Sequence, residues 1–196
     1  AKKSCFLNKW KCLFASDLGY NFVDSIIHFN YKELNLLINK LFDEFNIILS
    51  PLIEGGHQDH DTISYCIVKN ALLRKSDKVY FYSTYSAFGR FGFFSVMSKN
   101  NYASDIYKKK SIKFEHCPKK SLKHMFGVYK SQSKSWLLIL LPYLLNIILR
   151  KSAYIYTLNE SLLDYKKPII NKLKGKPLYE IHERCKKFNW FKHIDN

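Results

Sequence analysis

The fold is set by residues 46–61, which read NIILSPLIEGGHQDHD. Asn46–Ser50 is a short apolar segment that ends at a proline, as expected of a buried strand. Gly55 and Gly56 follow and allow a sharp turn of the backbone. A second helix is predicted over roughly Asp59–Lys75, because apolar residues recur there at helical spacing. A strand, a glycine loop and a helix in this order are typical of an α/β fold.

The flanking segments continue the same alternation of strand and helix. Tyr20–Ile27 is predicted to be a strand, and Lys78–Tyr85 another, rich in β-branched and aromatic residues. Tyr31–Phe45 is predicted to be a helix, since its apolar residues share helical spacing. These residues are Leu34, Leu37, Ile38, Leu41, Phe42 and Phe45. Three strands separated by two helices predict a mostly parallel α/β sheet.

The second half of the chain carries weaker signals. Phe88–Lys120 is aromatic and basic and is predicted to be irregular. Ser121–Tyr129 and Lys134–Leu149 are predicted to be helices, and Pro177–Ile181 a short strand or turn. No linker is long enough to separate two domains, so we expect one domain over residues 1–196.

One apolar run, Trp136–Leu149, needs to be weighed as a membrane segment. It has 14 residues and contains Pro142, whereas a spanning helix needs about 20 apolar residues. A buried or partly exposed helix with a kink at the proline is therefore expected. The flanking Lys134, Arg150 and Lys151 leave weak association with a membrane surface as an alternative.

The charge bears on the kind of partner that the chain binds, and the cysteines bear on its cellular location. The net charge of +16 invites a nucleic-acid partner, but only four of the 32 basic residues are arginine. Arginine is favoured for phosphate and base recognition, so we expect no nucleic-acid partner. The five cysteines include no pair at Cys-x-x-Cys spacing. Free thiols and the lack of a visible signal peptide predict a cytoplasmic location.

The loop from Glu54 to Asp61 carries the chemistry. His57 and His60 lie three residues apart in the first turn of the predicted helix, so both should point the same way. Asp59 between them could cap the helix or orient an imidazole. Zinc in a catalytic site takes three protein ligands and an open position, and a second histidine can stabilise an oxyanion. The alternative, from these residues alone, is a surface loop in which Asp59 caps the helix.

The sequence of Glu54–Asp61, after a strand ending in Ser-Pro, resembles the second signature of the PIG-L/LmbE family of zinc-dependent de-N-acetylases. The resemblance implies a Rossmann-like three-layer sandwich with a mostly parallel sheet and a Zn²⁺ site at its carboxyl end. It implies that His60 is a zinc ligand and that His57 polarises the acetyl carbonyl and assists the leaving amine. It makes Asp59 a partner of His57. The implied substrate is an N-acetylated amino sugar of N-acetylglucosaminyl type.

Three other elements resemble the family with low specificity, namely Leu18-Gly19, Tyr129-x-Ser131-Gln132 and Pro177–Glu180. The family's first signature, His-Pro-Asp-Asp, is not present in the 196 residues. We therefore expect the first βα unit, two zinc ligands and the general base to lie upstream of Ala1, and this chain alone to be inactive. Removal of an initiator methionine is the alternative explanation of Ala1.

Two other functions stay open at this point. The chain could be a non-catalytic remnant or a sugar-binding protein of the same fold. It could also be a basic protein that binds membrane surfaces or nucleic acid. Phe88–Lys113 could stack on a sugar and contact phosphates of a nucleotide-sugar or lipid-linked donor, although ordinary packing also accounts for its aromatic residues.

Overall fold

The structure is a computed structural model, and it describes residues 11, 13–24, 26–83, 102–112, 153–164, 168–174 and 177. The chain divides into two compact units. The smaller unit comprises residues 1–21 with 112–153, and the larger comprises residues 22–111 with 154–196. The prediction of one domain over residues 1–196 stays a prediction.

In the smaller unit, the described residues form one short 3-10 helix, Ala15–Leu18. It ends at Gly19, whose backbone is left-handed with φ +83°. Glycine adopts this conformation without a steric penalty, which explains why the helix ends there.

The larger unit begins with a 3-10 helix, Ile27–Asn30, which leads directly into the helix α1, Tyr31–Glu44. The prediction of a helix over Tyr31–Phe45 is confirmed. Of the predicted apolar stripe, Leu34, Leu37, Ile38 and Phe42 are buried and Leu41 is partly buried, and Tyr31 is buried as well. Phe45 leaves the helix in an extended conformation and is 47% exposed, so it lies outside the core.

The predicted strand at Tyr20–Ile27 is wrong. In the described backbone of this segment, the Ile26 amide donates to the Val23 carbonyl (3.3 Å) and the Phe29 amide to the Ile26 carbonyl (3.1 Å), while the Ile27 amide donates to the Asp59 carboxylate. Apolar, β-branched composition predicted an extended chain, but a strand also needs a neighbouring strand for its amides and carbonyls. Here the amides of Ile26 and Phe29 instead bond to carbonyls three residues earlier in the chain.

The predicted strand Asn46–Ser50, helix Asp59–Lys75 and strand Lys78–Tyr85 are each present, with boundaries shifted by a few residues. The strand β1 is Ile48–Pro51, the helix α2 is Gln58–Leu73 and the strand β2 is Val79–Tyr82. β1 and β2 are parallel, with Ile48 opposite Val79 and Pro51 opposite Tyr82. A parallel pair needs a crossover, and α2 provides it.

Two further strands, β3 (Tyr107–Ile112) and β4 (Ala153–Leu158), complete a sheet of order β1-β2-β4-β3. β2 and β4 are antiparallel, with Phe81 opposite Tyr156. The α/β class is therefore confirmed, and the described sheet is mixed. β3 was predicted to be irregular, which is wrong. The basic composition of this segment favoured irregular structure, but three exposed lysines are common on a strand at the end of a sheet.

The core of the larger unit fills the space between the two helices and one face of the sheet. Its largest fully buried side chains include Phe42 of α1, Phe81 of β2, and Leu52 and Ile53, which follow β1. On the opposite face of β1, Leu49 is 59% exposed. The core therefore lies on the side of the sheet that α1 and α2 cover.

The C-terminal end of α2 is fastened to α1 by one arginine. The Arg74 guanidinium donates to Asn39 Oδ1 (2.6 Å) and to the Asn39 carbonyl (3.1 Å) and pairs with the Asp43 carboxylate. The Asn70 amide adds a bond to Asn35 Oδ1 (2.8 Å). The two helices are thus joined by polar contacts as well as by apolar packing.

Several predicted elements lie outside the described residues. They are the helices Ser121–Tyr129 and Lys134–Leu149, with the apolar run Trp136–Leu149, and all of Pro177–Ile181 except Pro177. Among the helices that the structure does describe, none combines the length and the apolar character needed to cross a membrane.

Replacing Leu34 by alanine is expected to lower the free energy of unfolding by about 2–5 kcal/mol, because a buried leucine is deleted from the core. Leu34 is 3% exposed, whereas Leu36 on the same helix is 60% exposed. Leu36→Ala is the matched control and should cost less than about 0.5 kcal/mol. Urea unfolding followed by circular dichroism measures both. Equal costs for the two variants would contradict the packing of α1.

Candidate functional site

The loop between β1 and α2 is held by one carboxylate. Asp61 Oδ1 accepts a hydrogen bond from the Glu54 amide (2.9 Å), and Asp61 Oδ2 accepts one from the Gly55 amide (2.8 Å). Asp61 is 1% exposed, and its charge lies in the first turn of α2, where the helix dipole favours an anion. Gly55 has φ +73°, a conformation that other residues rarely adopt. The start of the loop is therefore joined rigidly to the start of the helix, and we call these two bonds from Glu54 and Gly55 to Asp61 the Asp61 clamp.

His57, not Asp59, caps α2. His57 is extended, with φ −144° and ψ 122°, and its side-chain Nδ1 accepts a hydrogen bond from the Asp59 amide at 3.3 Å. The His57 carbonyl accepts the first intrahelical bond, from the Asp61 amide (3.0 Å). The alternative in which Asp59 caps the helix is wrong, because the helix begins one residue before it.

The structure brings the two predicted histidines together. The ring centroids of His57 and His60 lie 4.9 Å apart with an angle of 33° between the rings. Both side chains are half-buried. One histidine at the cap and the next in the first turn place two imidazoles side by side, just beyond the carboxyl end of β1.

Burial lowers the pKa of His60 from its ordinary value of 6.5, and the neighbouring His57 lowers it further. The Asp59 and Asp24 carboxylates oppose this shift without reversing it. The neutral form of His60 is therefore favoured near pH 7. Neutral imidazole is the form that offers a lone pair to a metal ion.

Asp59 makes two separate contacts in this region. Its backbone amide donates to His57, as described above, and its carboxylate Oδ1 accepts a hydrogen bond from the Ile27 amide at 3.2 Å. The side chain is 4% exposed. Asp59 thus connects the histidine pair with the 3-10 helix that precedes α1. Its assigned part as a partner of His57 in catalysis stays a prediction.

Sequence reasoning gave no role to Glu54, which is a buried carboxylate at 3% exposure. Ser83, just after β2, donates a hydrogen bond to Glu54 Oε1. The carboxyl ends of the two parallel strands are thereby connected through one side-chain contact. A carboxylate directly after a predicted strand is a usable signal for such a position, but its serine partner lies 29 residues away.

Of the two histidines, His60 is suited to bind zinc. His60 is half-buried, its lowered pKa favours the neutral form, and imidazole nitrogen is a common zinc ligand. His57 Nδ1 already accepts a hydrogen bond. Within the part of the chain that the structure describes, no three His, Cys, Asp or Glu side chains are grouped as a metal site.

Comparison of the chain with protein-family models, with curated proteins and with solved structures gave no match. The features that bear on function are therefore the geometry of the loop and the resemblance of residues 54–61.

Replacing Asp61 by alanine is expected to lower the free energy of unfolding by at least about 1–3 kcal/mol, since two buried amides lose their acceptor. Asp61→Asn should cost less, because one acceptor oxygen remains. Asp17 is the matched control, as it is exposed and accepts one bond, from the Phe14 amide. Asp17→Ala should have a small effect, since water replaces the carboxylate. Chemical unfolding of the three variants measures this order, and a cost for Asp61→Ala no larger than that of Asp17→Ala would contradict the clamp.

The pKa of His60 in the metal-free protein is expected to lie below 6.5. His57→Gln should raise it by removing a repulsive charge, and Asp59→Asn should lower it further by removing an attractive one. Because the unfolded chain then binds the proton more tightly, the stability contributed by neutral His60 is present above pH 6.5 and is lost as the pH falls through the folded value.

Proton NMR titration of the imidazole measures these shifts, and His60→Gln should reduce the loss of stability at low pH. Shifts of the same sign in His57→Gln and Asp59→Asn would contradict the electrostatic arrangement.

Proposed function

We propose that this chain belongs to a zinc-dependent hydrolase that removes the N-acetyl group from an N-acetylated amino sugar of N-acetylglucosaminyl type. The observation that carries the proposal is the pair of imidazoles, His57 and His60, 4.9 Å apart at the start of α2. The pair lies beyond the carboxyl end of a strand, which is where α/β folds bind their ligands.

His60 is the proposed zinc ligand. Its partly buried imidazole has a lowered pKa, so the lone pair needed for a metal is present at neutral pH. When bound, zinc supplies Lewis-acid chemistry to the acetyl carbonyl. The other two ligands and the general base are proposed to come from a His-Pro-Asp-Asp signature, which the 196 residues do not contain.

His57 is the proposed donor to the acetyl carbonyl oxygen and assists the departure of the amine. Charge develops on that oxygen as the tetrahedral intermediate forms, and a fixed donor stabilises it. The Asp59 amide donates to the His57 ring, and the Asp61 carboxylate holds Gly55, two residues before it. A fixed position matters because a donor that must reorganise during the reaction contributes less.

For the enzyme we propose a Rossmann-like three-layer sandwich with a mostly parallel sheet. We also propose that it is located in the cytoplasm. The parallel pair β1 and β2, joined through α2, supports this architecture. Leu49 of β1 is 59% exposed, and an exposed apolar residue on a strand is where the second helical layer of such a sandwich would pack.

A non-catalytic sugar-binding protein of the same fold is the second candidate. One observation favours it, namely that the 196 residues contain one of the three proposed zinc ligands. Such a protein would bind the sugar without releasing acetate. The two candidates therefore differ in product formation and in tight zinc binding.

The two histidines are expected to separate by role. Isothermal titration of this chain with Zn²⁺ should show weak binding, since one ligand cannot hold zinc in a three-ligand geometry. His60→Ala should abolish that binding, and His57→Ala should keep most of it. In a protein that also carries the first signature, His57→Ala should lower turnover by about 10²–10⁴, with Asp59→Asn intermediate.

Release of acetate from an N-acetylglucosaminyl substrate measures the turnover, and elemental analysis measures the zinc. Metal lost from His57→Ala but retained by His60→Ala would reverse the assignment. Wild-type turnover in both variants would remove the enzymatic role of the loop.

A further inference from the structure

We propose that the cap of α2 fixes the proton of His57 on Nε2, so that this histidine presents a hydrogen-bond donor. In a neutral imidazole, one ring nitrogen carries hydrogen and the other is an acceptor. The Asp59 backbone amide donates to Nδ1 at 3.3 Å. Because a backbone amide can only donate, Nδ1 must offer its lone pair. The hydrogen of the neutral ring is therefore on Nε2.

The tautomer is imposed by a backbone amide in the first turn of α2. Asp59 is the second residue of α2, and amides in the first turn have no carbonyl partner within the helix. An acceptor at the cap is the usual way to satisfy them. The 16-residue helix thus presents a fixed donor to His57, and the Asp61 clamp holds the loop against it.

The carboxylate of Asp59 has a described hydrogen-bond partner of its own. Its Oδ1 accepts a hydrogen bond from the Ile27 amide (3.2 Å), which connects α2 with the 3-10 helix Ile27–Asn30. A histidine near a metal commonly has its proton position set by a carboxylate or a carbonyl that accepts from the ring. Here the ring accepts instead, from a main-chain amide. Asp59 is therefore a positioning residue that acts on His57 through its backbone.

This tautomer determines what His57 can bind. With Nδ1 engaged and hydrogen on Nε2, neutral His57 has no lone pair for a metal ion, which leaves His60 as the ligand of the pair. His57 can donate to an oxygen, such as that of an acetamido carbonyl, but cannot accept from an ammonium group. The tautomer stands on geometry alone, while the identification of the oxygen rests on the proposed function.

Imidazole ¹⁵N NMR on the 196-residue chain, without metal and at a pH where both rings are neutral, tests the inference. We expect protonated Nε2 and unprotonated Nδ1 for His57, assigned by the loss of its signals in His57→Gln. Asp59→Asn keeps the amide and should leave this pattern unchanged. Asp59→Pro removes the amide at a position in the first helical turn where proline is tolerated, and it should shift His57 towards a mixture of both tautomers.

Protonated Nδ1 in the wild-type protein would overturn the inference. So would a change of tautomer in Asp59→Asn, since it would make the carboxylate the cause, or an unchanged pattern in folded Asp59→Pro. If Asp59→Pro does not fold, the wild-type and Asp59→Asn spectra decide. Deacetylation is not a readout here, so an Nε2-protonated His57 in a protein without deacetylase activity would remove the proposed function and leave the tautomer in place.

Discussion

The bidentate acceptance of the Glu54 and Gly55 amides by Asp61 is the interaction on which the site depends. A chain leaving a strand must satisfy its free amides before it enters a helix, and in a buried loop water is not present to do so. Asp61, which is itself a residue of the helix, accepts hydrogen bonds from these amides. The same carboxylate meets the positive end of the helix dipole, so its own charge is also stabilised.

This arrangement explains why α2 is polar yet buried. Its first turns bury several polar side chains, and four of them, Asp59, Asp61, Thr62 and Ser64, have described hydrogen bonds to the backbone. A buried polar group costs free energy unless it is hydrogen-bonded. The helix therefore has no sharp division between a polar and an apolar face at the end that holds the histidines. Its apolar packing lies further along, at Val68 and Ala71.

The local elements could be predicted from the sequence, because α1, β1, α2 and β2 each carry their own periodicity or apolar run. Tyr20–Ile27 could not, since the choice between a strand and a turn depends on whether a neighbouring strand is present. Asp59 was one candidate for the cap because aspartate is a usual capping residue, whereas histidine accepting through Nδ1 leaves no compositional signal. The burial of Glu54 was missed for a related reason, as its partner Ser83 is distant in sequence.

Arg74 has a consequence for how α2 moves. Exposed ion pairs contribute little to stability on their own, but this guanidinium also bonds to Asn39 and so holds the last turn against α1. With Asp61 holding the first turn, neither end of the helix can fray independently. Opening should then involve the whole segment at once, and between such events the amides of α2 would exchange slowly with solvent. The imidazoles would accordingly keep a constant separation over most of the protein's lifetime, with rare, complete losses of the arrangement.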